Sequence, residues 1–159
     1  MELNSIDFKA LQHLMAQGRI TWSDLAGLLE LSAPATADRV RRLEERQVIK
    51  GYAALVDPPS VGCTLTAFVF VTVDRPKHRS NFLKKVSALP EIQECHHIAG
   101  DDDYVLKIRC ADASELEKLI GEELKGMAGV LRTRTTIVLS TVKETPELPL
   151  KEPASSQES

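Results

Sequence analysis

Three consecutive aspartates follow a glycine in the stretch AGDDDYV, residues 99–105. Carboxylates in such a run can hold a metal ion, serve as acid and base in catalysis, or bind a cationic ligand. Glycine and aspartate also favour tight turns, so a solvated β-hairpin tip is a fourth interpretation. Choosing among the four requires the fold that positions the run.

A second stretch, ECHH at residues 94–97, carries residue types that bind zinc. Consecutive strand residues point to opposite faces of a sheet, so only Cys95 and His97 would share a face. No second cluster in the sequence has zinc spacing. The sequence therefore predicts no metal site and no cofactor.

The usual sequence signatures of enzymes do not occur. The sequence contains no Gly-x-Ser-x-Gly elbow and no phosphate-cradling glycine loop. None of its cysteines has an evident activating neighbour. We therefore predict that the protein is not an enzyme.

Arginines form the third candidate feature. Arg39, Arg42 and Arg46 are spaced i, i+3, i+7 and would form one stripe of a helix. The neighbouring apolar stripe consists of Thr36, Val40 and Leu43. Such a helix can seat its apolar side on a domain while its arginines reach phosphates or guanine edges in the major groove.

The balance of charges supports an alternative interpretation, in which this is an amphipathic helix whose charged face lies in solvent. Residues 1–62 contain seven Lys and Arg against eight Asp and Glu, and the whole chain has a net charge of −3. Binding to nucleic acid through bulk charge is therefore not expected, and a local patch would be needed.

The elements that position these arginines form a three-helix pattern. The first helix is predicted over 5–17, with Ser5 as its N-cap and Gly18 after its end. The second starts at Thr21, and we expect it to turn the following side chains inward: Trp22, Leu25, Ala26, Leu28 and Leu29. The third starts at a Ser32 cap after the short link ELS, which is typical of a helix-turn-helix.

The stretch LSAPATADRVRRLEERQVIKGYAALVDPPSVG resembles the DNA-binding half of the Lrp/AsnC transcriptional regulators. The motifs that carry the resemblance are Leu31-Ser32, Arg42-Leu43-Glu44, Val48-Ile49, Gly51-Tyr52 and Asp57-Pro58. It implies a winged-type helix-turn-helix domain at residues 1–50 and a linker strand and hinge at 51–62. The stretch VIKGYAALVD, residues 48–57, is typical of that strand. The strand would pair with its copy in a second subunit. The implied DNA contacts are Ser32, Ala35, Thr36, Arg39, Arg42 and Arg46.

One position departs from that pattern. The family usually has glycine just past the third helix, where this chain has Gln47. A left-handed position strains a residue with a Cβ by about 1 kcal/mol. Either Gln47 adopts that conformation, or the helix ends differently.

The remaining sequence predicts a βαββαβ order, the ferredoxin-like arrangement of an α+β fold. Strands are expected at 64–73, 92–99, 103–110 and 130–142, and helices at 79–89 and 113–124. In the first strand Phe68 and Phe70 face away from the alternating aliphatic residues, so that face is expected to meet another subunit. Residues 144–159, rich in Pro, Glu and Ser, are predicted to be disordered.

The stretch AGDDDYVLKIR resembles the Gly-Asp-x-Asp-Tyr hairpin of the Lrp/AsnC sensor domain, which binds amino-acid effectors between dimers. Residues 63–143 would then be an effector-binding and oligomerisation domain. The implied effector contacts are Gly100, Asp101, Asp103, Thr135 and Thr136. An aspartate would hold the ammonium, and backbone N–H groups near Gly100 the carboxylate. Asp102 is predicted to be a solvated tip residue. Ala99 and Thr136 depart from the family's usual residues, so the effector need not be leucine.

Taken together, the sequence predicts a bacterial or archaeal DNA-binding regulator. Its partners would be double-stranded DNA, an amino acid, and copies of itself in dimers that assemble into tetramers or octamers. Three cysteines without a CxxC pair, and no signal peptide, favour the cytoplasm. The longest apolar run, LTAFVFVTV, is too short to span a membrane. The alternative is a ligand-binding assembly protein with weak or lost DNA regulation.

Overall fold

The computed structural model describes residues 2–151, which form two compact units. Residues 2–54 and 143–151 form one unit, and Leu55–Val142 form the other. Residues 143–151 contain no helix or strand, and the N–H of Leu148 donates to the Met15 sulfur at 3.4 Å. The predicted disorder of 144–159 falls in part on residues 152–159, which lie outside the described residues.

Three helices build the first unit, in the predicted order. They are α1 (Ser5–Ala16), α2 (Trp22–Leu29) and α3 (Ala33–Glu45). Burial of Ala10, Leu25, Leu29 and Val40 forms their shared core. The predicted cap at Ser5 is wrong by one residue. The Asn4 side chain accepts from the backbone N–H of Asp7, and the Asp7 carboxylate accepts from the backbone N–H of Asn4, so the two form a capping box.

The inward face of α2 is narrower than predicted. Leu25, Ala26 and Leu29 are buried, but Trp22 is 49% and Leu28 50% exposed. Leu28 lies about 200° around the helix axis from Ala26, and so on the other side. Trp22 is the first helical residue, and helical side chains lean towards the N-terminus, which carries its ring past the helix end.

Gln47 adopts the left-handed conformation, with φ of 57°. Its N–H donates to the Glu44 carbonyl at 2.9 Å, and the Val48 N–H donates to the Leu43 carbonyl at 2.9 Å. These two bonds form a Schellman motif that satisfies the last carbonyls of α3. The end of α3 therefore has the conformation that glycine favours, although Gln47 has a Cβ.

Replacing Gln47 with glycine should raise the free energy of unfolding by about 1 kcal/mol, because glycine adopts positive φ without the Cβ strain. Urea unfolding followed by circular dichroism measures the change. The matched control is Gln12→Gly, an exposed position inside α1, where the same substitution should cost about 1 kcal/mol. If both substitutions raised the free energy of unfolding, or both lowered it, the assigned role of Gln47 would be contradicted.

The second unit has the predicted βαββαβ order. Its elements are β1 (Leu65–Val73), α4 (Pro76–Ala88), β2 (Ile92–His97), β3 (Tyr104–Cys110), α5 (Ala113–Lys118) with a following π-helical turn (Leu119–Leu124), and β4 (Val130–Ile137). The four strands form one antiparallel sheet in the order β2-β3-β1-β4. The α+β fold class is confirmed, while the last strand ends at Ile137 and not near Val142.

Residues 48–57 form no strand, contrary to the prediction, and are followed by a 3₁₀ turn at Pro59–Val61. A strand needs a neighbour for its ladder hydrogen bonds, and this segment has none within the single described chain. Its apolar side chains remain largely exposed, with Leu55 at 78% and Val56 at 58%.

The two faces of the sheet differ in the way that the alternation predicts. Ala67, Val69 and Val71 of β1 are fully buried under the helices, and Phe82 of α4 is the largest fully buried side chain. The opposite face carries Phe68 and Phe70, both partly exposed. This second face is called the open face below.

Candidate functional site

The N-terminal end of α3 presents small polar and apolar groups to solvent. Ser32 caps the helix, its Oγ accepting from the Ala35 N–H at 3.3 Å, and both residues are exposed. A short side chain at Ala35 lets another molecule approach the first turn of α3 closely. These two expected contacts lie where a partner could reach them.

Two of the other expected contacts point elsewhere. Thr36 is fully buried, and no described atom bonds to its Oγ1. The guanidinium of Arg39 donates to the carboxylate of Asp7 at 2.7 Å and to the side-chain oxygen of Asn4 at 3.2 Å. Both side chains are therefore directed into the three-helix unit.

Three arginines lie on the exposed side of α3. Arg42 is 66% exposed and lies 2.7 Å from Asp38, and Arg46 is exposed at the helix end. Arg41 was missed by the sequence analysis, although it adjoins Arg42; it contacts Asp38 and Glu45, each at 2.5 Å. The hydrogen bond from Arg41 is the first cause that lowers the pKa of Asp38. Exposed pairs of this kind contribute little, so anionic groups of a partner can replace the carboxylates.

The hairpin between β2 and β3 separates the three aspartates. Asp101, an expected effector contact, is exposed. Asp102 was predicted to be solvated, and this is wrong, since only 4% of it is exposed. One Asp102 oxygen accepts from Arg132 at 3.0 Å and from Thr72 at 3.1 Å, and the other accepts from Arg134 at 2.9 Å. Two guanidinium groups of β4 therefore compensate the charge of this buried carboxylate.

Asp103 fixes the hairpin to the end of β1. Its carboxylate accepts from the Val73 N–H at 2.7 Å, and its own N–H donates to the Val71 carbonyl at 3.0 Å. One carboxylate oxygen is thus already engaged. Gly100 has φ of 155°, a conformation that side chains rarely adopt, and open space surrounds the position of a missing Cβ. A small molecule can therefore approach the backbone there closely.

Thr135 and Thr136 are not brought together. In the β1–β4 ladder Thr135 pairs with Val69 and Thr136 pairs with Phe68. Paired residues share a face, so Thr135 lies on the helix-covered side and Thr136 on the open face. Both are exposed because β4 is an edge strand.

Arg132 and Arg134 are, besides Arg41, functional candidates that the sequence analysis missed. Besides holding Asp102, Arg134 places its guanidinium carbon 4.3 Å from the centre of the Phe70 ring, a cation–π contact on the open face. The alternating stretch RTRT at residues 132–135 could have indicated them, since period-two spacing puts both arginines on one face of a strand.

The Asp102 contacts predict a pH dependence. The hydrogen bond from Arg134 is the largest cause that lowers the pKa of Asp102. A lowered folded-state pKa stabilises the fold above the unfolded value of about 4, and that stability is lost as pH falls through the folded pKa. Asp102→Asn should therefore lower the melting temperature at neutral pH, and the gap from the wild type should close as the solution is acidified below about pH 4.

Thermal melts over the acid range measure this gap. Asp101→Asn, an exposed neighbour on the same hairpin, is the matched control and should behave as the wild type does at every pH. A gap for Asp102→Asn that is constant with pH would contradict the ion-pair assignment.

Other kinds of site are absent or unsupported within residues 2–151. There, no group of three or more His, Cys, Asp and Glu side chains could hold a metal ion, and no helix is long and apolar enough to cross a membrane. An open cavity of about 450 Å³ lies near the end of β3 that is far from the hairpin. It is lined by side chains such as Cys63, Glu91 and Arg109, and none of the expected effector residues reaches it.

Comparison with known proteins matches both halves of the chain. Residues 3–50 match the model of a winged helix-turn-helix DNA-binding domain, and residues 66–148 match the Lrp/AsnC ligand binding domain. The chain is 42% identical over 151 residues to a leucine-responsive regulatory protein of Haemophilus influenzae, covering 94% of this chain and 91% of the relative. The chain belongs to the Lrp/AsnC family.

Solved structures of relatives agree with this assignment. A transcriptional regulator from Neisseria meningitidis in complex with L-methionine has a TM-score of 0.89 at 31% identity, covering 93% of this chain and 97% of that chain. A feast or famine regulatory protein from M. tuberculosis complexed with L-methionine has a TM-score of 0.86 at 38% identity, covering 92% and 99%. The Lrp/AsnC relatives are transcriptional regulators and not enzymes.

Proposed function

We propose that this Lrp/AsnC protein reads an operator with the exposed side of α3 and responds to an amino acid bound at the β2–β3 hairpin. The observation that carries the proposal is the geometry of α3. Val40 and Leu43 are buried and seat the helix, while Arg42 and Arg46 lie exposed along its outer side. Ser32 and Ala35 are the proposed contacts at its first turn.

The proposed effector is a free amino acid, a class represented by the L-methionine complexes of two relatives. Asp101 and the remaining oxygen of Asp103 would hold the ammonium group. Backbone N–H groups near Gly100 would receive the carboxylate. Thr135 and Thr136 point to opposite faces, so each would contribute only from its own side of β4.

The proposed assembly is a dimer that associates further into tetramers or octamers. Two features support it within the described chain. The open face exposes Phe68 and Phe70, which a lone domain would leave in water. Residues 50–57 belong to no helix or strand and have no pairing strand, and a second copy would supply one.

A second function, ligand binding and assembly without DNA regulation, is favoured by one observation. Arg41 and Arg42 both contact carboxylates of their own helix, which offsets part of the positive charge on α3. A regulator should bind its operator more tightly than other DNA, and a protein of the second kind should not. Binding of the full-length protein to DNA upstream of its own gene, against a scrambled fragment of equal length, distinguishes them. Preference for the upstream fragment supports regulation, and equal binding supports the second function.

The effector proposal has its own test, a thermal-shift screen of the common amino acids. A ligand present at about 100 times its Kd should stabilise the native protein by about 2.7 kcal/mol. Asp101→Asn should lose the shift, while Glu117→Gln, an exposed position on α5, should keep it. No shift with any amino acid would reject the effector proposal.

A further inference from the structure

A network of three residues connects α3 to the start of α1. The guanidinium of Arg39 donates to Asp7 at 2.7 Å and to Asn4 at 3.2 Å. The same two acceptors form the cap of α1, where the Asn4 N–H donates to Asp7 at 3.0 Å and the Asp7 N–H donates to Asn4 at 3.0 Å. Both carboxylate oxygens of Asp7 are therefore engaged, one by the cap and one by α3.

Burial makes this arrangement hard to open. The Asp7 side chain is 10% exposed and the Arg39 side chain 28%. If Arg39 turned outward to reach DNA, Asp7 would keep a buried charge without its main partner, which is strongly unfavourable. The carboxylate also lies in the first turn of α1, where the helix dipole favours a negative charge, so the cap and the ion pair stabilise the same side-chain position.

The network also restrains the rotation of α3 about its own axis, which apolar contacts alone do not. Val40 and Leu43 are buried and seat α3 through apolar contacts, and the hydrophobic effect has no preferred direction. A charged hydrogen bond from Arg39 to a fixed cap does have one, because its strength falls steeply with angle. Rotation of α3 would move Arg42 and Arg46 relative to the grooves of DNA, so the network determines where these two side chains point.

We propose that Asp7 and Arg39 are positioning residues that set the rotation of α3 for operator recognition, with Arg39 acting through Asp7 and not touching DNA. This revises the expectation that Arg39 is itself a DNA contact. It rests on the proposed function, because it assigns these residues a role in operator binding.

The test compares Arg39→Gln, Asp7→Asn and the double variant with the wild type at a temperature where circular dichroism shows all of them folded. Affinity is measured for operator and for scrambled DNA over a range of salt concentrations. Each single variant should lose operator affinity about tenfold, and the double variant should lose no more than the worse single variant, because the residues act as one unit. Affinity for scrambled DNA should change little, so the operator-to-scrambled ratio should fall.

The salt slope separates positioning from direct binding to DNA. Removing one phosphate-binding side chain from each subunit lowers the slope by about 0.9 per subunit. Arg39→Gln should leave the slope unchanged, whereas Arg46→Gln, an exposed arginine on the same helix, should lower it. Arg39→Lys keeps the charge with poorer geometry and should restore part of the operator preference, which also covers the case that Arg39→Gln does not fold.

Three results would overturn the proposal. A reduced slope for Arg39→Gln would make Arg39 a phosphate contact. Stronger DNA binding by Asp7→Asn would mean that Asp7 withholds Arg39 from DNA. Additive losses in the double variant would show independent roles. If the wild type itself does not prefer operator DNA, the proposed function fails and the positioning role with it; if it does, any of the three results rejects the positioning role alone.

Discussion

Arg42→Ala is expected to weaken operator binding by about 1–3 kcal/mol if the side chain reads a base edge. The side chain is 66% exposed on the outer side of α3, and its contact with Asp38 is a surface ion pair that DNA can displace. Fluorescence anisotropy with labelled operator DNA measures the loss. If Arg42 contacts only a phosphate, the loss should be similar on scrambled DNA, and the salt slope should fall by about 0.9 per subunit.

The matched control for Arg42 is Arg19→Ala. Arg19 is exposed between α1 and α2, and its substitution removes the same charge at a position away from α3. The affinity of this variant should stay within about twofold of the wild type, because scattered single charges contribute little. Operator binding by Arg42→Ala that equals that of Arg19→Ala over the whole salt range would reject the assignment of α3 as the reading helix.

Phe82→Ala is expected to lower the free energy of unfolding by about 3–5 kcal/mol. Phe82 is fully buried between α4 and the sheet, and its ring centroid lies 5.1 Å from that of Tyr104. Removing the ring leaves a cavity lined by strand residues that cannot move together without breaking the ladder. Urea unfolding followed by far-UV circular dichroism measures the change.

Leu83→Ala is the neighbouring control for Phe82. Leu83 follows Phe82 on α4 but is 36% exposed. The variant should lose about 1 kcal/mol or less of unfolding free energy, since the Leu83 side chain already reaches water and its removal leaves no closed cavity. Similar losses for the two variants would contradict the placement of Phe82 as the central residue of this core.

Local signals made much of the fold predictable. Thr21 and Ser32 were identified as helix caps because a hydroxyl that accepts from the third following N–H depends only on neighbours in sequence. The alternation of β1 predicted its two faces for the same reason, since the period of a strand is fixed by its backbone. The order of elements in the second unit followed from these local patterns.

Ion pairs between residues that are distant in the sequence were not predictable from local patterns. Arg39 and Asp7 are separated by 32 positions, as are Arg134 and Asp102. Helical and strand periods indicate the face on which a charged residue lies but not which distant carboxylate faces it. The burial of Asp102 beside two arginines, and the ion pair between Arg39 and the cap of α1, were therefore not predictable from the sequence.

The segment at 48–57 shows a different limit. Its residues favour a strand, yet a strand forms only where another backbone satisfies its N–H and carbonyl groups. The described residues supply no such partner backbone, so this segment forms no strand although its residues favour one. The proposed dimer would remove the disagreement.

The central claim is that one chain couples an amino acid to operator binding. The most direct measurement is the operator affinity of the wild type as a function of added L-methionine, with scrambled DNA and a chemically unrelated metabolite as references. We predict preferential operator binding and a change in affinity of about 5- to 150-fold at saturating effector, the usual range of allosteric coupling. Failure of every common amino acid to bind in the thermal-shift screen, together with operator affinity that is the same with and without methionine, would contradict this claim.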